Sequence, residues 1–194
     1  MTRNKIGIFG GTFNPVHKGH VAVAEIFIKN LSLDMLYVIP NRISPMKNTG
    51  GISAEDRFNM LEIAFSGYDN IIINDIELLR DGPSYTRDTI AQLRVLHPDS
   101  RLYLLTGDDW IDNFHKWKDY QYILDNADLV VANRHGNDIL KSLNNLESLS
   151  GKRPILLCNE ITEASSTEFR ESRNKDDLPK GVYEYIKERG LYGI

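Results

Sequence analysis

The segment GIFGGTFNPVHKGH, residues 7–20, places four glycines, one proline and two histidines directly after a short apolar run. The apolar run is typical of a strand, and the paired glycines that follow it lack a Cβ, so a ligand can come close to their backbone amides. Pro15 disfavours helical geometry at Asn14, and the next helix should therefore begin near His17 or Lys18. The segment predicts a strand, a tight loop and a helix start in immediate succession.

Similar apolar runs recur along the chain with helical patterns between them. They are KIGIF (5–9), MLYVI (35–39), IIIND (71–75), LYLLT (102–106), LVVAN (129–133) and ILLC (155–158). Strands that are apolar almost throughout are buried on both faces, which is typical of a parallel sheet between helical layers. The alternation predicts an α/β protein with a doubly wound, mostly parallel, Rossmann-like sheet, and the length predicts a single domain over residues 1–194.

Composition indicates the cellular compartment of the protein and the classes of partner that it is not expected to bind. Hydrophobic residues make up 41% of the chain and charged residues 26%, and the formal net charge is -4, so nothing favours nucleic acid as a partner. The one cysteine, Cys158, cannot form an internal disulfide, which favours a reducing compartment. No apolar stretch approaches the ~20 residues of a membrane helix, and the first residues lack a signal-peptide pattern. We expect a cytoplasmic protein without a membrane partner.

The helix start after the loop has the features of a phosphate site. The free amides and partial positive charge of a helix N-terminus attract anionic oxygens. His17 and His20 are three residues apart, so they share one face of the first turn and can approach the same phosphate. The segment lacks the Gly-Lys-Ser/Thr ending of a P-loop and the G-x-G-x-x-G spacing of a dinucleotide site. Zinc ligation and a purely structural role remain alternatives for the two histidines, although no cysteine or third histidine is near.

A second segment, EASSTEFR (163–170), has the features of another helix start. Ser165 and Glu168 have the spacing of a capping box, which by itself indicates only where a helix begins. Ser166 and Thr167 add hydroxyls and amides at that start, and Arg170 lies one turn on. This combination can hold the β- and γ-phosphates of a nucleoside triphosphate.

Both segments resemble motifs of the nucleotidyltransferase superfamily, whose members join a nucleoside triphosphate to a phosphorylated acceptor and release pyrophosphate. GGTFNPVHKGH resembles the superfamily's H-x-G-H loop, and EASSTEFR resembles its S-S-T-x-x-R segment. The resemblance implies that ATP binds to Gly10, Gly11, Thr12, Phe13, His20, Ser166, Thr167 and Arg170. It also implies a catalytic set of His17, His20, Lys47 and Arg170, with Mg²⁺ entering together with ATP.

The middle of the chain resembles bacterial nicotinate-nucleotide adenylyltransferases. ELLRDGPSYTRDTIAQL (77–93) is similar to the family's E-x-x-R-x-G-x-S-Y-T-x-D-T-L segment, with Ile90 in place of leucine. TGDDWIDNFHKWKDYQYIL (106–124) and LVVANRHG (129–136) extend the resemblance over nearly the whole chain. Two departures are Met46, where the family has the histidine of Pro-His-Lys, and His135, where it has the proline of Arg-Pro-Gly.

The family's acceptor, nicotinic acid mononucleotide, has a cationic ring and a carboxylate. The resemblance implies that Trp117 stacks on the ring and that amides around Tyr85 and Thr86 bind the carboxylate. It further implies that Asp109 accepts a hydrogen bond from a ribose hydroxyl and that Arg134 contacts a phosphate. A core role for Trp117 remains an alternative, and Trp110 is predicted to serve packing.

Three other possibilities concern the protein as a whole. The acceptor could be nicotinamide mononucleotide or another phosphorylated compound, because sequence does not show how the amides near Thr86 point. The chain could also be a nucleotide sensor without turnover, although the intact His17, His20 and Arg170 argue against this. A homo-oligomer is left open.

Overall fold

The computed structural model describes residues 4–43, 51–133, 139–157 and 165–194. Six strands form one sheet: β1 (Lys5–Gly11), β2 (Met35–Pro40), β3 (Ile71–Ile73), β4 (Arg101–Gly107), β5 (Asp128–Ala132) and β6 (Ile155–Leu157). Their order is β3-β2-β1-β4-β5-β6, and every neighbouring pair is parallel. This is the doubly wound order in which the direction of winding reverses between β1 and β4. The predicted α/β fold class is confirmed.

Helices cover both faces of the sheet. They are α1 (Lys18–Leu31), α2 (Ala54–Phe65), α3 (Thr86–Leu96), α4 (Tyr120–Asn126), α5 (Leu140–Ser150), α6 (Ser166–Ser172) and α7 (Val182–Glu188), with 3₁₀ turns at Asp108–Lys116, Lys175–Asp177 and Leu191–Gly193. One apolar cluster joins the sheet to α1, α2, α6 and α7. A second cluster joins the other face to α3, α4, α5 and the first 3₁₀ turn. The strands are apolar almost throughout because they are buried on both sides.

The boundaries agree with the predicted ones to within two residues, and local hydrogen bonds explain them. The helix after the first loop begins at Lys18 with His17 as its N-cap, as predicted. Ser165 is the N-cap of α6, and its Oγ accepts from the Glu168 N–H at 3.1 Å, which is one of the two hydrogen bonds of the predicted capping box. The third strand is shorter than predicted and ends at Ile73. Its predicted extension stops because Asn74 Oδ1 accepts from the Ile76 N–H at 2.9 Å, which turns the chain.

The topology brings the loops after β1 and β4 together. These strands are neighbours and run parallel, so their carboxyl ends meet at one edge of the sheet.

The last predicted strand residue, Cys158, lies outside the described residues. Within the described ranges, no helix is both long enough and apolar enough to cross a membrane.

Candidate active site

A cavity of about 380 Å³ opens where the carboxyl ends of β1, β2 and β4 meet. Ligands of doubly wound sheets bind at this edge, beside the point where the winding reverses. The predicted site residues Gly10, Gly11, Thr12, Phe13, His20, Tyr85, Thr86, Asp109 and Trp117 all line it. A Cβ placed on Gly10 would meet no atom within 4 Å, so the space beside this glycine is open to a ligand. The fold thus brings the first loop together with the segments 77–93 and 106–124.

The start of α1 presents a hydrogen-bond donor to the cavity. The backbone of His17 is extended, with φ -136° and ψ 169°, and its N–H donates to Nδ1 of His20 at 3.2 Å. A neutral imidazole has one donor and one acceptor nitrogen, so a His20 that accepts through Nδ1 carries its hydrogen on Nε2. The first turn of α1 contains no acidic residue, and its partial positive charge is therefore not neutralised locally.

The two histidines do not reach the cavity equally. The sequence predicts that both approach one phosphate, but His17 is only 2% exposed and His20 alone of the pair lines the cavity. Their rings stack with centroids 3.7 Å apart. The Phe13 ring makes an edge-to-face contact with His20, with centroids 4.9 Å apart. His17 and Phe13 therefore fix the orientation of the His20 ring.

The two end motifs are joined by direct hydrogen bonds. Ser166 Oγ donates to the Pro15 carbonyl at 2.9 Å, and Arg170 donates to the Asn14 carbonyl at 2.7 Å. Arg170 also donates to Thr167 Oγ1 at 2.9 Å. The predicted phosphate-binding residues of α6 thus lie against the loop itself, beside the cavity and not in its wall.

A buried arginine that the sequence analysis did not identify supports the loop from below. Arg57 is 1% exposed and donates to the carbonyls of Thr12 at 2.8 Å and Asn41 at 2.6 Å. Burial lowers the pKa of its guanidinium. Asn41 adds a bond from Nδ2 to Thr12 Oγ1 at 3.1 Å. Arg57 lies in the amphipathic helix α2, where an arginine is usually exposed to solvent. The neighbouring sequence therefore does not indicate that this arginine is buried.

A second polar network supports the start of α3. Glu77 is 7% exposed and accepts from Thr89 Oγ1 at 2.6 Å, while Arg80 donates to the same hydroxyl at 2.6 Å. Burial raises the pKa of the Glu77 carboxyl, in spite of hydrogen bonds from Thr89 and Ser84. Glu77 and Arg80 belong to a quoted motif but were not predicted as site residues. Their spacing within that motif is the signal that could have indicated them.

The aromatic wall of the cavity comes from the segment after β4. Trp117 is half-buried and its ring packs on Phe114, with centroids 4.9 Å apart. Trp110, which the sequence assigns to packing, also lines the cavity. The Lys118 ammonium lies 4.5 Å from the centre of the Tyr85 ring and 3.0 Å from the Asp88 carboxylate. Lys118 is therefore ion-paired with the acidic residue in the first turn of α3.

Some predictions concern residues for which the structure gives no position. Lys47 and Arg134 fall outside the described residues, as do the two departures at Met46 and His135. Across the ranges that are described, no group of three or more His, Cys, Asp or Glu side chains is placed to hold a metal ion. Within those ranges, His17 and His20 thus have no third ligand of these types for zinc.

Comparison with known proteins agrees with this geometry. The family described as cytidylyltransferase-like matches residues 8–172, so the fold and site are those of a nucleotidyltransferase. A protein of Neisseria meningitidis serogroup A is 33% identical over 97% of this chain and 98% of its own length. One of Leptospira borgpetersenii is 37% identical over 96% and 95%. Both are described as "Probable nicotinate-nucleotide adenylyltransferase", and the chain belongs to the nicotinate-nucleotide adenylyltransferase family.

Solved structures show the same fold. Nicotinic acid mononucleotide adenylyltransferase of Plasmodium falciparum, complexed with NaAD, has a TM-score of 0.79 at 21% identity, with 98% of each chain covered. The same protein complexed with APC has a TM-score of 0.76 at 22% identity. At this level of identity the likeness concerns the fold.

The raised pKa of Glu77 gives stability a pH dependence. The folded chain keeps the Glu77 proton at pH values where the unfolded chain, with a glutamate pKa of about 4.3, has lost it. Glu77 therefore contributes stability at low pH, and this contribution is lost as pH rises through the pKa of the folded state. Glu77→Gln should remove the loss, so the free energy of unfolding of the wild type should fall relative to that of the variant as pH rises.

Urea unfolding of both proteins from pH 4 to pH 8 measures this difference. Glu62→Gln, at an exposed glutamate of α2, is the control and should follow the wild-type curve. Parallel pH profiles for the wild type and Glu77→Gln would contradict the prediction.

Proposed function

We propose that the protein transfers the adenylyl group of ATP to nicotinic acid mononucleotide, giving nicotinic acid adenine dinucleotide and pyrophosphate for NAD biosynthesis. The observation that carries this proposal is the single cavity that joins His20 and the start of α1 to Trp117 and the start of α3. One end suits phosphates, and the other suits a flat cationic ring with a carboxylate. Two substrates that must react with each other need such adjacent subsites. The family membership supports the same conclusion.

The proposed reaction is an in-line displacement at the α-phosphorus of ATP. A 5′-phosphate oxygen of the mononucleotide forms the new bond as the bond to pyrophosphate breaks, without a covalent enzyme intermediate. The attacking oxygen is already anionic, so positioning and charge stabilisation supply most of the acceleration. Mg²⁺ enters bound to the triphosphate, because magnesium keeps several waters and is commonly held through substrate phosphates.

The residues at the α1 end of the cavity are assigned to stabilise the charge that develops on the phosphates. His20 donates from Nε2, and the N–H and the adjacent ring of His17 keep it oriented. Lys47 and Arg170 hold the departing pyrophosphate, together with the hydroxyls of Ser166 and Thr167. Arg170 has N–H groups besides those bonded to Asn14 and Thr167, whereas the Ser166 hydroxyl has to release the Pro15 carbonyl before it can donate to the leaving group.

The acceptor is assigned to the other end of the cavity. Trp117 stacks on the pyridinium ring, and the amides of Tyr85 and Thr86 bind the carboxylate, as the first N–H groups of a helix lack intrahelical partners. The ammonium of Lys118 lies over the Tyr85 ring near this helix start, where it is ion-paired with Asp88. Asp109 accepts from a ribose hydroxyl, and Arg134 contacts the acceptor phosphate.

Replacing His20 tests the phosphate end. His20→Ala should lower kcat by about a hundredfold, because a preorganised donor to the transition state is lost, with a smaller effect on KM. Steady-state rates of pyrophosphate release measure the change. His97→Ala, at a histidine that contacts Tyr37 and does not line the cavity, is the control and should retain kcat. An unchanged kcat in His20→Ala would remove His20 from this role.

Replacing Trp117 tests the acceptor end. Trp117→Ala should raise KM for nicotinic acid mononucleotide by roughly tenfold, since a cation–aromatic contact is lost, while KM for ATP changes little. Trp117→Phe keeps an aromatic face and should lie between the wild type and the alanine variant. Equal increases in KM for both substrates would instead indicate that Trp117 is a packing residue.

The acceptor itself is tested by pyrophosphate release with ATP and each mononucleotide. Nicotinic acid mononucleotide should give the highest kcat/KM, because amides and a nearby ammonium favour a carboxylate over a neutral amide. A higher value with nicotinamide mononucleotide would assign the protein to that acceptor. If the protein binds nucleotides but releases no pyrophosphate with any acceptor, it is a nucleotide sensor without turnover.

A further inference from the structure

Tyr192 connects the two halves of the phosphate end, although neither motif contains it. Its hydroxyl donates to Oδ1 of Asn14 at 2.6 Å, over 178 positions of sequence. Its ring packs edge-on against Phe169 of α6, with centroids 5.7 Å apart and planes at 90°. One side chain therefore contacts both the loop after β1 and the helix that carries Ser166 and Arg170.

The backbone of Tyr192 is held in an unfavourable conformation to make these contacts. Its φ is 56°, in the left-handed region, where a residue with a Cβ is strained. The flanking glycines, Gly190 at 61° and Gly193 at 74°, adopt positive φ more easily and form the tight turn that aims the tyrosine inward. Strain of this kind persists where surrounding contacts over-determine the geometry, and it concentrates at functional sites.

The partner, Asn14, occupies a sensitive position in the loop. It is 6% exposed and lies between Phe13, which packs on His20, and the Pro15 carbonyl that accepts from Ser166. Arg170 fixes its carbonyl and Tyr192 fixes its side chain, so the residue is held at two points by two elements. A shift of Asn14 would move the start of α1.

Burial keeps the hydroxyl of Tyr192 protonated. Burial raises the pKa of the Tyr192 phenol well above its ordinary value, while the positive charges of Arg170, Arg57 and Arg173 only partly offset this effect. The hydroxyl therefore acts as a donor to Asn14 throughout the ordinary pH range.

We propose that Tyr192 is a positioning residue for adenylyl transfer: by holding the Asn14 side chain, it sets the orientation of His17 and His20 relative to the reacting phosphates. The assignment of the reaction rests on the proposed function, whereas the tie between Tyr192 and the loop stands on the contacts above. Tyr192 is not among the residues that line the cavity, and it acts through Asn14.

Tyr192→Phe is the test, because it removes the hydroxyl and keeps the ring against Phe169. It should lower kcat by about tenfold through misplacement of the loop, and leave KM for nicotinic acid mononucleotide within twofold. Calorimetric titration with ATP should still give the wild-type stoichiometry, which excludes a fall in kcat caused by unfolded protein. A kcat within twofold of the wild-type value would overturn the proposal.

Tyr185→Phe is the matched control. Tyr185 also donates from its hydroxyl, to Asp56 Oδ1 at 2.9 Å, and accepts from Asn59 at 3.0 Å, but its partners lie on α2 and not in the loop. Its loss of one oxygen should lower Tm at least as much as that of Tyr192→Phe and leave kcat near the wild-type value. Equal losses of kcat in the two variants would show a general effect of stability and overturn the proposal.

A double-mutant cycle tests the route through Asn14. If Tyr192 acts only through this residue, Asn14→Ala combined with Tyr192→Phe should have the kcat of Asn14→Ala alone. Additive losses would place the action of Tyr192 elsewhere.

Hydrogen exchange separates this proposal from the function on which it rests. The amides of residues 16–20 should exchange faster in Tyr192→Phe than in the wild type or in Tyr185→Phe. Absence of pyrophosphate release by the wild type would overturn the proposed function. The exchange rates would still show whether the hydrogen bond from Tyr192 to Asn14 orders the loop. Unchanged exchange would overturn the positioning role of Tyr192.

Discussion

The backbone carbonyls of the loop between β1 and α1 need hydrogen-bond donors, and the rest of the site is built around that need. A loop has no regular ladder to satisfy these groups, and a buried carbonyl without a donor is costly. The Gly11 carbonyl accepts from the Asn41 N–H, Thr12 from Arg57, Asn14 from Arg170 and Pro15 from Ser166. The donors come from three separate parts of the chain, so the carbonyls of the loop are satisfied only when Asn41, α2 and α6 have packed around it.

This arrangement combines positive charge with rigidity. Two cations contact the loop: Arg57 from α2 and Arg170 from α6. The N-terminus of α1 faces the cavity. The hydrogen bonds of the two arginines order the loop, and their charges raise the potential where phosphates are proposed to bind. A preorganised site of this kind does not have to rearrange during the reaction, which is the main source of electrostatic catalysis.

Much of the fold and the chemistry could be predicted from local patterns. The six apolar runs gave all six strands, because strands buried on both faces are apolar throughout. Helix starts at Lys18 and Ser166 followed from Pro15 and from the Ser165–Glu168 capping box, which act within a few residues. The end of the third strand was predicted two residues too late, because the local turn at Asn74 stops the strand at Ile73.

The sequence by itself determined the class of fold, and it predicted a phosphate site at residues 7–20 and a second subsite with aromatic and helical features. Tertiary structure alone decided that His20 lines the cavity while His17 lies buried behind it, and that Arg57, Glu77 and Tyr192 support the site. The physical reason is range. Caps, turns and periodic burial act over a few residues, whereas a hydrogen bond from Tyr192 to Asn14 spans 178 positions and exists only after the chain has folded.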